Sequence, residues 1–186
     1  FVELVDLATT VPLVVQLLGP NVQLLTSHLI IRAPNDPDTP RDTRLTGWHR
    51  DGGTAPRDLF EALPRLSIKV SYWLTDAVSI DSGGTLVHPG SHLRPQDPPC
   101  PADESDPQGT VQLQVPAGTA VLMENRTAHA VGPNLSGVTR KSLFFGYGFR
   151  WMRPMDYDRM PESLLQACDP VRRQLLGHAE RPMDFQ

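Results

Sequence analysis

The sequence lacks the features that mark nucleic-acid-binding, membrane-spanning and disulfide-stabilised proteins. Only two of its 17 Lys and Arg residues are lysine, its formal net charge is −4 and no basic stripe runs along it, so nucleic acid is not an expected partner. No apolar run approaches the roughly 20 residues of a transmembrane helix. Cys100 and Cys168 form neither a CxxC pair nor a disulfide framework, which favours a reducing, cytoplasmic location without membrane attachment.

The composition that is present fits one globular domain. Hydrophobic residues make up 39 % of the 186 residues and charged residues 20 %, which excludes a disordered or coiled-coil protein. The 19 prolines and 14 glycines favour many short elements joined by turns. The chain begins at Phe1 rather than at Met, so we expect a single domain over residues 1–186 that is truncated at the N-terminus or at both ends. The sequence does not indicate an oligomeric state.

Hydrophobic periodicity predicts a mainly β fold with a flanking helix at each end. The clearest strand is Leu66–Leu74, in which apolar residues alternate with Ser67, Lys69, Ser71 and Trp73. Helices are expected over Phe1–Leu18 and Glu162–Leu176; strands over Val22–Ile31, Thr85–His88, Ala128–Val131 and Arg140–Phe149; and a hairpin over Val111–Val115 and Thr119–Met123. This pattern fits an antiparallel sandwich or barrel, and by itself it does not choose between an immunoglobulin-like sandwich and a jelly roll.

The tripeptide His49-Arg50-Asp51 is the most informative short motif. In an extended strand, residues i and i+2 point to the same side, so His49 and Asp51 can converge on one point while Arg50 faces away. His129, on a later short strand, offers a third ligand for a divalent metal. Two histidines and one carboxylate form the facial triad of non-haem Fe(II) oxygenases. On its spacing alone, however, the motif also fits a surface segment that binds no metal.

Arg140 lies eleven residues after His129, with turn-forming residues between the two. A turn there would return the chain to the metal, and a guanidinium group pairs bidentately with a carboxylate. A dicarboxylate that binds iron through one end needs a cation at its other end. Ser142, two residues further along the same strand face, can donate its hydroxyl to that carboxylate. Considered alone, Arg140 also fits a solvated strand charge.

Four stretches of the chain occur in an order typical of one enzyme family. They are Gly47–Asp51, Tyr72–Asp76, Ser82–His92 and the segment from His129 to Arg140. With these motifs the sequence resembles the phytanoyl-CoA dioxygenase-like (PhyH) family of Fe(II)/2-oxoglutarate-dependent oxygenases.

The resemblance implies a double-stranded β-helix, a jelly-roll barrel of the cupin-like type with the metal inside one mouth. It implies His49, Asp51 and His129 as Fe(II) ligands and Arg140 as the anchor of the 2-oxoglutarate cosubstrate. It also places His28 and Trp73 in contact with that cosubstrate. The implied reaction is a hydroxylation or related oxidation that uses O2 and releases succinate and CO2. Related halogenases carry a small residue in place of the carboxylate, so Asp51 argues against halogenation.

The substrate and two rival functions stay open at this stage. We expect a small organic molecule, such as a secondary metabolite, lined by the segments Arg32–Thr46, Gly52–Leu63 and Leu93–Gly109. The last of these is expected to be mobile without substrate because it is rich in proline and acidic residues. His88 and His92 are interpreted as structural or substrate-lining, because the triad is complete without them. The rivals are a non-redox cupin-like metal enzyme and a catalytically silent jelly-roll binding module.

Overall fold

The computed structural model describes residues 1–51, 64–94 and 106–178. The helices are α1 (Val11–Leu18), α2 (Glu162–Gln166) and α3 (Pro170–Leu175), and the strands are β1 (Val22–Arg32), β2 (Thr46–His49), β3 (Ser67–Trp73), β4 (Thr85–Val87), β5 (Val111–Gln112), β6 (Ala120–Glu124), β7 (His129–Val131) and β8 (Arg140–Phe149).

Within the described residues, these eight strands form two four-stranded antiparallel sheets. The order is β1-β8-β3-β6 in the first sheet and β2-β7-β4-β5 in the second. Most hydrogen-bonded neighbours are distant in sequence, because successive strands other than β4 and β5 alternate between the two sheets. The mainly β, double-stranded β-helix fold predicted from the sequence is therefore confirmed, and the jelly roll is the alternative that the chain adopts.

One face of the first sheet packs against the helices and forms the main hydrophobic core. Val14 of α1, Val70 of β3 and Tyr147 of β8 are completely buried in it. Two tyrosine hydroxyls within this core form hydrogen bonds. The Tyr147 hydroxyl donates to the carbonyl of Val5 at 2.8 Å, and the Tyr72 hydroxyl lies 2.6 Å from the hydroxyl of Thr10. Each large apolar side chain buried here contributes about 1.5–3 kcal/mol to folding.

The opposite face of the first sheet looks toward the second sheet and carries polar side chains. Directly opposed residues of an antiparallel pair share a face, and Trp73 of β3 is opposite Ser142 of β8. Lys69 lies on this same face, because it is four positions before Trp73 in β3 and side chains alternate with a period of two. Its side chain contacts Asp51, which follows β2 of the second sheet. This polar face therefore borders the predicted metal centre.

The N-terminal helix is shorter than the sequence predicts. The segment Phe1–Leu18 contains a 3-10 turn at Val2–Leu4, and α1 begins only at Val11. Pro12 lies in the first turn of α1, where its missing N–H is tolerated, but it could not continue a helix from preceding residues. The prediction of one continuous helix is therefore wrong at this end.

The C-terminal helix is likewise divided. The predicted helix Glu162–Leu176 consists of α2 and α3, with a break before Pro170. The Asp169 carboxylate accepts a hydrogen bond from the backbone N–H of Arg172 at 2.9 Å and so caps α3. An Asp cap followed by proline at the first helical position starts a new helix rather than extending an old one.

The predicted hairpin of Val111–Val115 and Thr119–Met123 is also wrong. β5 pairs with β4 in the second sheet, whereas β6 pairs with β3 in the first. The turn between them carries the chain from one sheet to the other. The Asp76 carboxylate accepts a hydrogen bond from the N–H of Ala117 at 2.7 Å and fixes that turn. Alternation of apolar residues predicts strands, but it does not say which sheet each strand joins.

Two expectations about loops fall outside the described residues. The segment Gly52–Leu63, expected to line the substrate site, is not described, nor is most of Leu93–Gly109, expected to be mobile. Across the residues that are described, no helix combines the length and the apolar character needed to cross a membrane.

Gly84, just before β4, lies very close to the backbone of Leu113. An added Cβ would lie 2.5 Å from the carbonyl oxygen of Leu113, and Leu113 is held in place because its N–H donates to the Thr85 carbonyl at 2.8 Å. We expect Gly84→Ala to lower the free energy of unfolding by about 1–3 kcal/mol through overpacking. Chemical denaturation measures this change. Gly137→Ala, whose methyl meets nothing within 4 Å, is the matched control, and equal stability of the two variants would contradict the argument.

Candidate metal centre

The three predicted ligands converge where β2 ends and β7 begins. His49 and His129 are directly opposite each other in this antiparallel pair, with ring centroids 4.2 Å apart. Asp51 places its Oδ1 4.0 Å from His49 Nε2 and 3.9 Å from His129 Nε2. Within the described chain these three residues form the one cluster of potential ligand atoms, all within 4.8 Å of one another. That spacing suits a metal ion bound at about 2 Å from each atom.

Hydrogen bonds orient both imidazoles toward this point. His49 Nδ1 donates to the Gly47 carbonyl at 2.8 Å, and His129 Nδ1 donates to the Thr127 carbonyl at 2.9 Å. Because a carbonyl oxygen only accepts, Nδ1 carries the proton and Nε2 keeps its lone pair for a metal. Burial lowers the pKa of His129 by more than the Asp51 carboxylate raises it. His129 is therefore held in the neutral, ligating form.

The two oxygens of Asp51 have different partners. Oδ1 faces the imidazoles, whereas Oδ2 lies 2.7 Å from Nζ of Lys69. Burial alone would raise the pKa of Asp51, but Lys69 and the two histidines outweigh it and hold that pKa below its usual range. Asp51 is thus an ionised carboxylate with one oxygen available to a metal and the other fixed by a cation. The sequence reasoning gave Lys69 no place at the metal centre, although the alternation along β3 had placed it on the same face as Trp73.

Arg50 faces away from the proposed ligands, as predicted, and its guanidinium group binds backbone carbonyls of two neighbouring segments. Its Nε donates to the Arg126 carbonyl at 2.8 Å, and its Nη2 donates to the carbonyls of Ser91 and Arg94 at 3.0 and 3.1 Å. The Ser91 hydroxyl oxygen in turn accepts from the N–H of Ala128 at 2.9 Å. This network holds the segment just before β7 against the end of β2. Sequence reasoning missed this role because backbone carbonyls leave no signature in residue identities.

Arg140, Ser142 and Trp73 lie together on the inward face of the first sheet. The Arg140 Cζ atom is 5.3 Å from the Trp73 ring centroid, and the three residues are only 4 %, 0 % and 1 % exposed. Nevertheless Arg140 Nε and Nη1, Ser142 Oγ and Trp73 Nε1 have no hydrogen-bond partner among the described residues. A buried donor without a partner costs about 1–3 kcal/mol. We call these three side chains the donor cradle, because a bound anion would satisfy them.

These residues fit the cofactors that the sequence resemblance implies. Two imidazoles and one carboxylate are a donor set suited to Fe(II), and the donor cradle suits the far carboxylate of 2-oxoglutarate. Burial, together with the neighbouring Arg32, lowers the pKa of Arg140 to about 10. Arg140 therefore still carries its charge at neutral pH.

Two other histidines lie apart from this arrangement. His28 is opposite Phe144 on the inward face, but its side chain is 47 % exposed and its Nε2 lies 3.0 Å from a carboxylate oxygen of Asp156. Its contact with the cosubstrate stays a prediction. His88 is buried, and its Nε2 lies 3.3 Å from Nη1 of Arg94, which is consistent with a structural role.

The chain is similar to known proteins in both sequence and fold. The family model of phytanoyl-CoA dioxygenase (PhyH) matches residues 2–142. The protein named Dioxygenase andF from Emericella variicolor is 26 % identical over 115 residues, which cover 61 % of this chain and 39 % of that protein. The crystal structure of EvdO2 from Micromonospora carbonacea var. aurantiaca, complexed with 2-oxoglutarate, has a TM-score of 0.58 at 22 % identity and covers 79 % of this chain and 62 % of that one. The non-haem alpha-ketoglutarate-dependent epimerase SnoN from nogalamycin biosynthesis has a TM-score of 0.59 at 22 % identity and covers 80 % of this chain and 57 % of that one.

The likenesses to the two solved structures show a shared fold. The chain spans 39 % of the length of the curated relative and 62 % or less of these two solved chains. The family match extends over three quarters of the sequence and includes His49, Asp51, His129, Arg140 and Ser142. The resemblance inferred from the sequence motifs is thereby confirmed, and the chain belongs to the phytanoyl-CoA dioxygenase (PhyH) family.

Proposed function

We propose that this chain is the catalytic domain of an Fe(II)- and 2-oxoglutarate-dependent oxygenase that hydroxylates, or otherwise oxidises, a small organic substrate. The observation that carries the proposal is the combination of a three-ligand cluster with a donor cradle of unpartnered buried groups on the facing sheet. A metal enzyme that uses no dicarboxylate has no need of the cradle. A silent binding module has no need of imidazoles oriented for a metal.

Each residue of the metal centre has a defined task in this proposal. His49 and His129 bind Fe(II) through Nε2, and Asp51 binds it through Oδ1. When bound, Fe(II) supplies the redox chemistry that couples O2 to the oxidative decarboxylation of 2-oxoglutarate. Lys69 keeps Oδ2 of Asp51 occupied, so that the carboxylate offers a single oxygen and leaves more positions for cosubstrate and O2.

The donor cradle positions the cosubstrate. Arg140 pairs with the far carboxylate of 2-oxoglutarate, and the hydroxyl of Ser142 donates to it. The Trp73 ring lies beside the guanidinium and excludes water, which strengthens the charge-assisted contact. The cosubstrate is thereby held by its far end with its 2-oxo acid end toward the ligand cluster.

The substrate class is proposed as a secondary metabolite. SnoN, which shares the fold, is described as part of nogalamycin biosynthesis. Two loop arginines that could have bound an acidic substrate are engaged within the protein, because Arg41 pairs with Asp81 and Arg44 with Asp106. SnoN is an epimerase, so epimerisation is the reaction that must be distinguished from hydroxylation in this chain. The mass of the product makes the distinction, because hydroxylation adds an oxygen atom and inversion of a stereocentre does not.

Removal of any proposed iron ligand should abolish turnover. We expect His49→Ala, Asp51→Ala and His129→Ala each to lose iron and to stop converting 2-oxoglutarate to succinate, because these three side chains are the whole ligand cluster among the described residues. Iron content after anaerobic reconstitution and succinate release are the measurements, and circular dichroism checks the fold. His178→Ala, at an exposed position three residues after α3, should behave as the wild type. A ligand variant with wild-type iron content and succinate release would remove that residue from the ligand set.

Arg140 should control the affinity for cosubstrate rather than for iron. Loss of a charge-assisted contact in a buried pocket should weaken 2-oxoglutarate binding by roughly 10–100-fold in Arg140→Ala. Arg140→Lys should recover only part of the loss, because an ammonium group cannot make the paired contact. Calorimetric titration under argon measures the binding constant of the protein for Fe(II) and that of the Fe(II) protein for 2-oxoglutarate. The Fe(II) constant should not change in Arg140→Ala. Lys141→Ala, the adjacent cation on the exposed face, is the control, and an unchanged 2-oxoglutarate affinity in Arg140→Ala would mean that another cation anchors the cosubstrate.

A further inference from the structure

A second arginine lies beside the donor cradle. Arg32, the last residue of β1, is directly opposite Arg140 in the β1–β8 pair. Opposed residues of an antiparallel pair lie on one face with their Cβ atoms about 4.5–5.5 Å apart. Arg140 is inside the barrel, so Arg32 extends toward the same interior region. Like charges placed directly opposite each other repel and destabilise a sheet.

Neither of these two guanidinium groups has an acidic partner in the part of the chain that the structure describes. Arg32 Nε is buried without a hydrogen-bond partner there, as are two nitrogens of Arg140. Other arginines are paired: Arg44 with Asp106, and Arg65 with Glu124. A repelling and partly buried pair of cations that has no acidic partner among the described residues indicates a site for an anion.

We propose that Arg32 is a second cationic contact for the far carboxylate of 2-oxoglutarate, and that the Arg32–Arg140 pair makes the site selective for dicarboxylates. The inference rests on the proposed function, since it concerns the same cosubstrate. A carboxylate between two guanidinium groups replaces their repulsion with charge-assisted hydrogen bonds. A 2-oxo acid with an uncharged end would leave both cations unpaired.

The position of Arg32 favours the cosubstrate over the primary substrate. Lys69, which contacts the ligand Asp51, is opposite Gly146 of β8, whereas Arg32 is opposite Arg140, six residues further along that strand. Arg32 is therefore at the far end of the polar face from the metal centre. The substrate atom that reacts must approach the metal, whereas the far carboxylate of the cosubstrate must point away from it.

A comparison of two ligands in matched variants tests this inference. 2-Oxoglutarate and 2-oxopentanoate, which has a methyl group in place of the far carboxylate, are titrated calorimetrically into the Fe(II) protein under argon. We expect Arg32→Gln to weaken 2-oxoglutarate binding by about tenfold and to leave 2-oxopentanoate binding unchanged. Arg32→Lys should lose less, because it keeps the charge, and Lys141→Gln should lose nothing. Without ligand, Arg32→Gln should unfold at the same or a higher temperature, because a repulsion has been removed.

The outcomes separate this inference from the proposed function. If the wild type binds 2-oxoglutarate and Arg140→Gln loses that binding while Arg32→Gln keeps it, Arg32 is not a contact of the cosubstrate and the inference is overturned. Equal weakening of both ligands in Arg32→Gln would show an indirect effect on the fold and overturn it as well. If the wild type binds no 2-oxoglutarate, the proposed function fails and the inference fails with it.

Discussion

The register between β2 and β7 is the constraint on which the metal centre depends. It sets His49 directly opposite His129, and because side chains alternate between faces with a period of two, a slip of one residue would place the imidazoles on opposite sides of the sheet. Arg50 holds this register by donating to three backbone carbonyls behind the pair. Breaking that network would leave a buried charge and its acceptors without partners, which is strongly destabilising.

The two faces of the first sheet differ in their role: one stabilises the fold, and the other carries the groups proposed to bind a ligand. Its outer face packs Val70, Phe145 and Tyr147 against the helices and supplies the hydrophobic core. Its inner face carries groups that destabilise the unliganded protein: unpartnered donors on Arg140, Ser142 and Trp73, and two guanidinium groups side by side. These groups are held in place by the packing on the other face, and their unmet hydrogen bonds and charges are available to a ligand. A site that is already ordered loses less conformational entropy when a ligand binds, which favours the anion binding that we propose here.

The sequence could predict those parts of the site that short spacings determine. The i, i+2 spacing of His49 and Asp51 predicts that they converge, which they do although Asp51 lies in a turn just after β2. The distance from His129 to Arg140 fits a turn between two strands. The Asp51–Lys69 and Arg32–Arg140 pairs could not be predicted, because each joins residues distant in sequence and depends on how separate strands align. The erroneous β5–β6 hairpin has the same origin, since β5 and β6 look like consecutive strands but join different sheets. The breaks before α1 and α3 had a local signal in Pro12 and Pro170, which the apolar periodicity around them obscured.

We propose that His49, Asp51 and His129 on one sheet and the donor cradle on the other hold Fe(II) and 2-oxoglutarate together. The most direct measurement is visible absorption spectroscopy of the Fe(II) protein under argon as 2-oxoglutarate is added. We expect an absorption band that requires both iron and 2-oxoglutarate, is missing when zinc replaces iron, and is missing in Asp51→Ala. If the iron-loaded wild type gives no band, or if Asp51→Ala gives a band of equal strength, these residues do not hold Fe(II) and 2-oxoglutarate as proposed.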